Sequence, residues 1–323
     1  MQTTRWAMVG TGFMLELIGH DFARTENVEL QVIVSRTAER AASAAREFGF
    51  PEGSDDLDAV LRRDDIDVVY VATPHSEHFT QAKAAIEAGK HVLVEKSMTP
   101  SASSTTELCA LAESRGVFAM EAMWTAFNPA VIELRRRVLA GQLGDIRVVH
   151  ANFCTFVPYR PESRLWAKDL AGGSTLDQGV YTLTFAHMIL GPPSSVTARG
   201  TVVHGVDAEV AVVLDYESGS CGVCVSSLRA HSPLNAYIAG SEGCIEVPGA
   251  FWNASSFTQR SVGTNEAVEE FTYQREGAGY VPMLRAVSDA ILNGQTQCEL
   301  RTHEETIAVA GTMDEVLRQV HDA

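Results

Sequence analysis

Three short stretches of this chain carry side chains suited to moving protons. Lys96 stands in Val94-Glu95-Lys96-Ser97, directly after the apolar run His91 to Glu95. Asp177 and Tyr181 are four residues apart in Gly172-Gly173-Ser174-Thr175-Leu176-Asp177-Gln178-Gly179-Val180-Tyr181, a spacing that puts both on one face of a helix. An Asp that orients a polar partner and a Tyr that exchanges a proton suit interconversion of a hydroxyl and a carbonyl. The same spacing also fits a capped helix with a buried tyrosine. A third stretch, Ala72-Thr73-Pro74-His75-Ser76-Glu77-His78, has two histidines at HxxH spacing. No third ligand type accompanies them, so no metal site is expected. His75 fits a loop residue touching a cofactor or substrate, and His78 a group at a helix entry.

A fourth stretch speaks to binding. Gly10-Thr11-Gly12 follows the apolar run Trp6 to Val9 and precedes a helical pattern. In a strand–turn–helix the first Gly permits the tight turn and the second lets the backbone approach a pyrophosphate. The helix N-terminus that follows offers free N–H groups. The third position of this fingerprint is Leu15 where Gly or Ala is usual, and a larger residue there is expected to push helix from strand. The next strand runs through Val32-Ile33-Val34 into Ser35-Arg36-Thr37, with Arg40 one turn on. No carboxylate waits at that tip for a ribose 2′-OH, and two hydroxyls with arginine suit a 2′-phosphate. NADP is therefore expected ahead of NAD. Thr37 also reads as an ordinary helix cap. The expected cofactor contacts are Gly10, Thr11, Gly12, Phe13, Met14, Ser35, Arg36, Thr37, Arg40, Thr73, Pro74, His75, His78, Glu95 and Lys96. Beside an oxidised nicotinamide, the ring's charge and partial burial both favour the neutral amine of Lys96.

Positioning these groups takes a particular scaffold. Runs Trp6 to Val9, Leu30 to Val34, Val68 to Ala72, His91 to Glu95 and Val117 to Met120 read as strands. Helical patterns Ala38 to Glu47, Ser76 to Ala88 and Ser101 to Glu113 separate several of them. Nearly all-apolar strands alternating with helices predict an α/β Rossmann domain with a doubly wound parallel sheet over 1–123. Its ligand groups stand outside the carboxyl ends of the strands. Beyond Met123 the pattern changes. Asn128-Pro129 opens a helix to Ala140, a strand covers Arg147 to Phe156, and a helix opens at Gly172-Gly173-Ser174. Alternating strand-like runs extend from Val196 to Val247 with Gly-containing turns, and helical stretches Val281 to Leu292 and His303 to His321 follow. An α+β domain with an open, mainly antiparallel sheet is expected over 124–323.

The chain has 323 residues, with 25 Lys+Arg against 41 Asp+Glu and a net charge of −16. That balance argues against nucleic acid or an anionic membrane, since both are bound by neutralising phosphates. No stretch approaches the roughly 20 apolar residues a membrane helix takes. Met1 to Thr4 is a short polar lead into the first strand rather than a signal peptide, so a cytoplasmic home is expected. Six cysteines are scattered, and Cys221-Gly-Val-Cys224 lies in a strand-like run whose alternation sends the two thiols to opposite faces. No disulfide is expected.

Taken together, Gly10-Thr11-Gly12, Ala72-Thr73-Pro74, Glu95-Lys96 and the Gly-Gly…Asp177…Tyr181 segment resemble the glucose-fructose oxidoreductase / inositol dehydrogenase (GFO/IDH/MocA) family. The likeness covers nearly the whole chain. Glu121-Ala122-Met123-Trp124 with Tyr181 is similar to the branch of dimeric dihydrodiol and NADP-dependent xylose dehydrogenases. The resemblance implies Lys96 and Tyr181 as an acid/base pair, Asp177 as polar support, Trp124 near nicotinamide and substrate, and a homodimer or higher homo-oligomer through the C-terminal sheet. Phe156 and Trp166 complete the expected substrate contacts with Trp124 and Tyr181. Ser97 replaces the Pro of the family's Glu-Lys-Pro, which leaves Lys96 less rigidly aimed, and Ala126 stands where the branch often has Arg. The expected activity is NADP(H)-dependent hydride transfer at a hydroxyl or carbonyl carbon of a small sugar, polyol or cyclic diol. The base is Tyr181 or Lys96, which sequence does not separate. The rival readings are a non-catalytic dinucleotide sensor and an S-adenosylmethionine methyltransferase, and the latter leaves Lys96, Asp177 and Tyr181 without a role.

Overall fold

Strands buried on both faces dominate the first third of the chain. The computed structural model describes residues 2–263 and 266–322. In chain order it runs β1 (Thr4–Val9), α1 (Phe13–Phe22), β2 (Val28–Val34), α2 (Ala38–Phe48), β3 (Glu52–Ser54), α3 (Leu57–Leu61), β4 (Val68–Val71), α4 (His75–Glu87), β5 (His91–Val94), α5 (Ala102–Arg115) and β6 (Ala119–Glu121). The six strands are parallel in the order β3-β2-β1-β4-β5-β6, the doubly wound arrangement. All four residues of β4 are fully buried, which explains its unbroken apolar sequence. Thr37 and Ser101 cap α2 and α5 by accepting from Arg40 N and Ser104 N, and Gly49 and Gly116 end those helices in the left-handed conformation. β3 was not expected. It is Glu-Gly-Ser, without an apolar signal, and Gly53 is required because a Cβ there would lie 2.4 Å from the Ala41 carbonyl carbon. β6 starts two residues later than the run that announced it.

The chain continues through α6 (Pro129–Leu139), β7 (Ile146–Cys154), α7 (Val180–Leu190), β8 (Ser195–Val203), β9 (Val206–Asp215), β10 (Cys221–Ser227), β11 (Ala236–Gly240), β12 (Gly243–Val247), β13 (Ser256–Ser261), β14 (Ala267–Thr272), α8 (Val281–Leu292) and α9 (His303–His321). Asn128 caps α6, accepting from Ala130 N at 2.9 Å. Eight strands form one sheet in the order β14-β13-β12-β11-β7-β10-β9-β8. Every pair is antiparallel except β7 with β10, so the sheet is mainly antiparallel. Along β9, Val210, Val212 and Leu214 are buried while Ala211, Val213 and Asp215 are exposed, the alternation of a sheet covered on one side. The cover includes α7, which packs on β7 and β10 and whose first eight residues are all buried. β13 and β14 lie beyond the strand-like runs ending at Val247. Their residues are largely polar, and most of β14 is exposed.

The fold divides into two compact units. One holds the chain up to Trp124 together with Arg275–Thr306, and the other holds Thr125–Gln274 and the chain from Ile307 on. In the first, α8 packs against α1, β1 and β2. In the second, Cys221 and Cys224 sit on β10 with only Cys224 fully buried, its Sγ 3.3 Å from the Thr182 carbonyl. All six cysteines are free. Among the described residues no helix is long and apolar enough to cross a membrane.

Burial pushes the thiols of Cys109 and Cys224 up to about 12. At pH 8 only about one molecule in ten thousand then carries either thiolate. Iodoacetamide at that pH is expected to leave both unlabelled until denaturant is added, as peptide mass mapping would show. Rapid labelling of either in the native protein would contradict the packing described.

Candidate active site

The first unit holds the glycine turn. Gly10 has φ +117°, and a Cβ there would lie 2.4 Å from the Ala72 carbonyl oxygen, so the turn after β1 is wedged against the end of β4. Gly10 N donates to Val34 O at 2.9 Å. Gly12 is the N-cap of α1, and nothing lies within 4 Å of where its Cβ would be. Open space over a helix N-terminus with free N–H groups fits a pyrophosphate. Leu15 is buried at the start of α1, and the close glycine approach falls one turn later, where a Cβ at Gly19 would meet the Phe48 ring at 2.3 Å. Phe13 is exposed and Met14 half-buried beside this turn. Thr11 Oγ1 and Ser35 Oγ are 2.8 Å apart, joining the tips of β1 and β2, and Arg36, Thr37 and Arg40 are exposed just beyond.

Lys96 is 8% exposed and its backbone is held from several sides. Its N–H donates to Glu95 Oε2 at 3.2 Å, and Glu95 in turn accepts from the Tyr70 hydroxyl. His75 Nε2 is 3.2 Å from the Lys96 carbonyl. The His78 ring places Nδ1 and Nε2 each 2.9 Å from the carbonyls of Ser97 and Thr73. Burial lowers the His78 pKa below its ordinary value, against the pull of those carbonyls toward the charged ring. Met98 N donates to Glu121 Oε1 at 2.9 Å. The Lys96–Ser97 peptide bond is cis. Thr73 Oγ1 donates to Gln81 Oε1, and Pro74 stands at the N-cap of α4. Thus His75, His78 and Glu95, expected as cofactor contacts, hold the loop that carries Lys96. Trp124 stacks on Tyr280, with ring centroids 4.1 Å apart at 15°.

The second unit holds Asp177 and Tyr181. Thr175–Gly179 form a π-helical turn that leads into α7, an irregularity often found at functional sites. Its start is pinned by Asp207 of β9, whose Oδ2 accepts from Thr175 N and Thr175 Oγ1 at 2.7 Å and from Ser174 Oγ at 3.1 Å. The glycine pair is explained by crowding. A Cβ on Gly172 would lie 2.7 Å from the Arg164 carbonyl oxygen, and one on Gly173, at φ +130°, would lie 2.0 Å from Asp207 Oδ1. Arg164 Nη1 donates to Asp177 Oδ1 at 2.8 Å.

Tyr181 is 6% exposed and its ring is flanked by Phe153 at 5.6 Å and Trp252 at 5.9 Å. Those two stack on each other at 3.7 Å, and Thr125 Oγ1 donates to Trp252 O. Of the two other expected substrate contacts, Phe156 is exposed. Trp166 is buried with Val206, Ala208 and Leu228 and donates from Nε1 to Val157 O. Arg164, Phe153, Trp252 and Tyr280 were absent from the residues singled out in the sequence. Phe153 alone had a local signal, the alternation of its strand.

Comparison with known proteins agrees with this architecture. The family model "Oxidoreductase family, NAD-binding Rossmann fold" matches residues 4–123, and "GFO/IDH/MocA C-terminal domain" matches residues 131–246. The chain is similar to trans-1,2-dihydrobenzene-1,2-diol dehydrogenase of Sus scrofa, 31% identical over 98% of this chain and 96% of the relative. It is also similar to the enzyme so named in Mus musculus, 33% identical over 75% and 74%. Among solved structures, levoglucosan dehydrogenase in complex with NADH and levoglucosan aligns with a TM-score of 0.91 at 21% identity, over 99% of this chain and 98% of that one. A 3-ketoreductase from Actinomadura kijaniata with NADP and TDP-benzene aligns at 0.88 and 25%, over the same shares. This chain therefore belongs to the GFO/IDH/MocA family of oxidoreductases.

Proposed function

We propose that the protein transfers a hydride reversibly between NADP(H) and the hydroxyl- or carbonyl-bearing carbon of a sugar, polyol or cyclic diol. The reading is carried by Lys96, whose backbone is held at the carboxyl end of β5 in the unit that also holds the open glycine turn. The relatives' names support the substrate class, being dehydrogenases of a cyclic diol and of levoglucosan. When bound, the nicotinamide takes up or supplies the hydride. Oxidising the alcohol also frees the hydroxyl proton, which either Tyr181 or Lys96 accepts. Asp177, paired with Arg164, is the polar support. Each unit has a stacked aromatic pair, an apolar surface suited to the carbon side of a sugar or diol: Trp124 with Tyr280 in the first and Phe153 with Trp252 beside Tyr181 in the second. Phe156 extends that surface, and Trp166 acts by packing the loop before Gly172.

Gly10 to Met14, with Thr73 and Pro74, receive the dinucleotide, and His75, His78 and Glu95 act through the Lys96 loop. Arg36 and Arg40, with Ser35 and Thr37, receive the 2′-phosphate, since Ser35–Thr37 contains no carboxylate to repel it. A homodimer or higher homo-oligomer forms through the open face of the eight-stranded sheet, where Val213 and Tyr237 are each at least a third exposed. A monomeric mass by sedimentation at micromolar concentration would rule this out.

Arg36→Ala is expected to weaken NADPH by about 10- to 100-fold, the loss of a charge-assisted bond, with the NADH dissociation constant nearly unchanged. Equal losses for both would remove the basis for NADP. Lys96→Met and Tyr181→Phe should each lower kcat by about 10²–10⁴ with cofactor affinity nearly intact. Turnover is followed at the nicotinamide absorbance with a panel of sugars, polyols and diols. Near-normal rates in both variants would sink the assignment. A wild type that binds NADPH and turns over no member of the panel would be a sensor instead.

A further inference from the structure

Glu121 opens the Glu-Ala-Met-Trp stretch, and none of the chemistry proposed above uses its side chain. It ends β6, with its carboxylate 3% exposed, and it has two partners. Oε1 accepts from the backbone N–H of Met98, two residues after Lys96. Oε2 accepts from Arg301, from Nε at 3.1 Å and from Nη2 at 2.5 Å. The Arg301 side chain is 1% exposed and reaches Glu121 from 180 residues further along the chain. All three residues lie in the first compact unit.

The backbone around Lys96 is fixed at successive points. Its N–H is held by Glu95, its carbonyl by His75 and the Ser97 carbonyl by His78. These come from the residue just after β5 and from α4. The next group along, Met98 N–H, is the one held by Glu121. Ser97 is fully buried and has no ring to fix its φ, so polar bonds on both flanks must set the direction in which Lys96 leaves the backbone. A carboxylate holds an N–H about twice as strongly as a neutral acceptor, and a buried one needs its own partner. Arg301 is that partner.

We infer that Glu121 and Arg301 are positioning residues for Lys96, Arg301 acting on Glu121 and Glu121 on Met98 N–H. The inference rests on the reading of Lys96 as a proton-transfer group. A buried ion pair that serves stability alone predicts loss of folded protein and nothing more, so the test separates the acceptor from the charge. Two double variants both remove the buried charges, an exchange often tolerated when both partners go together. Glu121→Gln with Arg301→Leu keeps an oxygen for Met98 N–H. Glu121→Leu with Arg301→Leu removes it. The single variant Arg301→Lys keeps the charge and loses the two-nitrogen grip.

The glutamine double variant is expected to keep kcat within about threefold. The leucine double variant should lose about 10- to 100-fold, the scale for misplacing a reacting group by an ångström. Its NADPH affinity and substrate KM should change little, and its kcat–pH profile should move relative to wild type. Arg301→Lys should fall between them, and it carries the comparison with wild type should a double variant not fold. Equal kcat and superimposable pH profiles in the folded variants and wild type would overturn the inference, while a parallel loss of activity in Lys96→Met would leave the reading of Lys96 intact. Full activity in Lys96→Met would overturn both.

Discussion

A backbone N–H buried in an irregular segment must find an acceptor, and carboxylates supply it around Lys96, at the turn before Tyr181 and at the turn carrying Tyr280. Asp21, Glu95, Glu121 and Asp207 are each less than 5% exposed. Asp21, on α1, accepts from Ala278 N and Tyr280 N and so fixes the ring on which Trp124 stacks. Glu95 and Glu121 accept from the backbone on either side of Lys96 and Ser97. Asp207 accepts from Thr175 N at the start of the turn that carries Asp177 and leads to Tyr181. Each bond of this kind contributes about 1.5–3 kcal/mol where it satisfies a buried group. Its larger effect is directional, because the segment it holds has no helix or sheet ladder to do so.

Two of these clamps share a construction that accounts for glycines. A Cβ on Gly277 would sit 1.9 Å from Asp21 Oδ1, and one on Gly173 would sit 2.0 Å from Asp207 Oδ1, and both glycines have positive φ. The carboxylate oxygen fills the space of the missing side chain, so only glycine lets the N–H groups of the next residues close on it. The buried charge is met differently in each case. Glu121 has the Arg301 guanidinium. Asp207 has the hydroxyls of Thr175 and Ser174 with Thr175 N, at the positive end of a helical segment. Burial still raises the Asp207 carboxyl above its ordinary value, with those donors pulling the other way. Removing one donor from such a set leaves a desolvated acceptor, which is why these networks tolerate little change.

What could be read from the sequence follows the range of the interactions involved. Gly10-Thr11-Gly12, the buried strands and the Asn128-Pro129 cap depend on neighbours within a few residues, and their patterns are local. The glycine pair before Asp177 was visible, but its partner Asp207 lies 32 residues away from Thr175 on another strand. Arg164, Trp252 and Tyr280 act on Asp177, Tyr181 and Trp124 through contacts that no spacing in the chain encodes. β3 and β14 were hidden for another reason. They are short or exposed edge strands whose pairing rests on backbone hydrogen bonds, so their side chains need not announce it. Glu121 was noticed as a motif letter, yet its work depends on Arg301, which no local rule connects to it.

Each clamp closes within a single compact unit. Asp21 with the 277–280 turn, Glu121 with Met98 and Arg301, and Asp207 with Thr175 all have both ends on one side of the division. The Lys96 loop and the Asp177–Tyr181 turn are therefore set in place by their own surroundings. A reacting group fixed in advance loses little freedom when substrate arrives, and that is where orientation contributes most to rate. Ser97 shows the principle at its sharpest. A proline would limit this position by covalent geometry. Here His75, His78, Glu95 and Glu121 spread the same task over four hydrogen-bonded partners, and rigidity becomes a property of the network rather than of one residue.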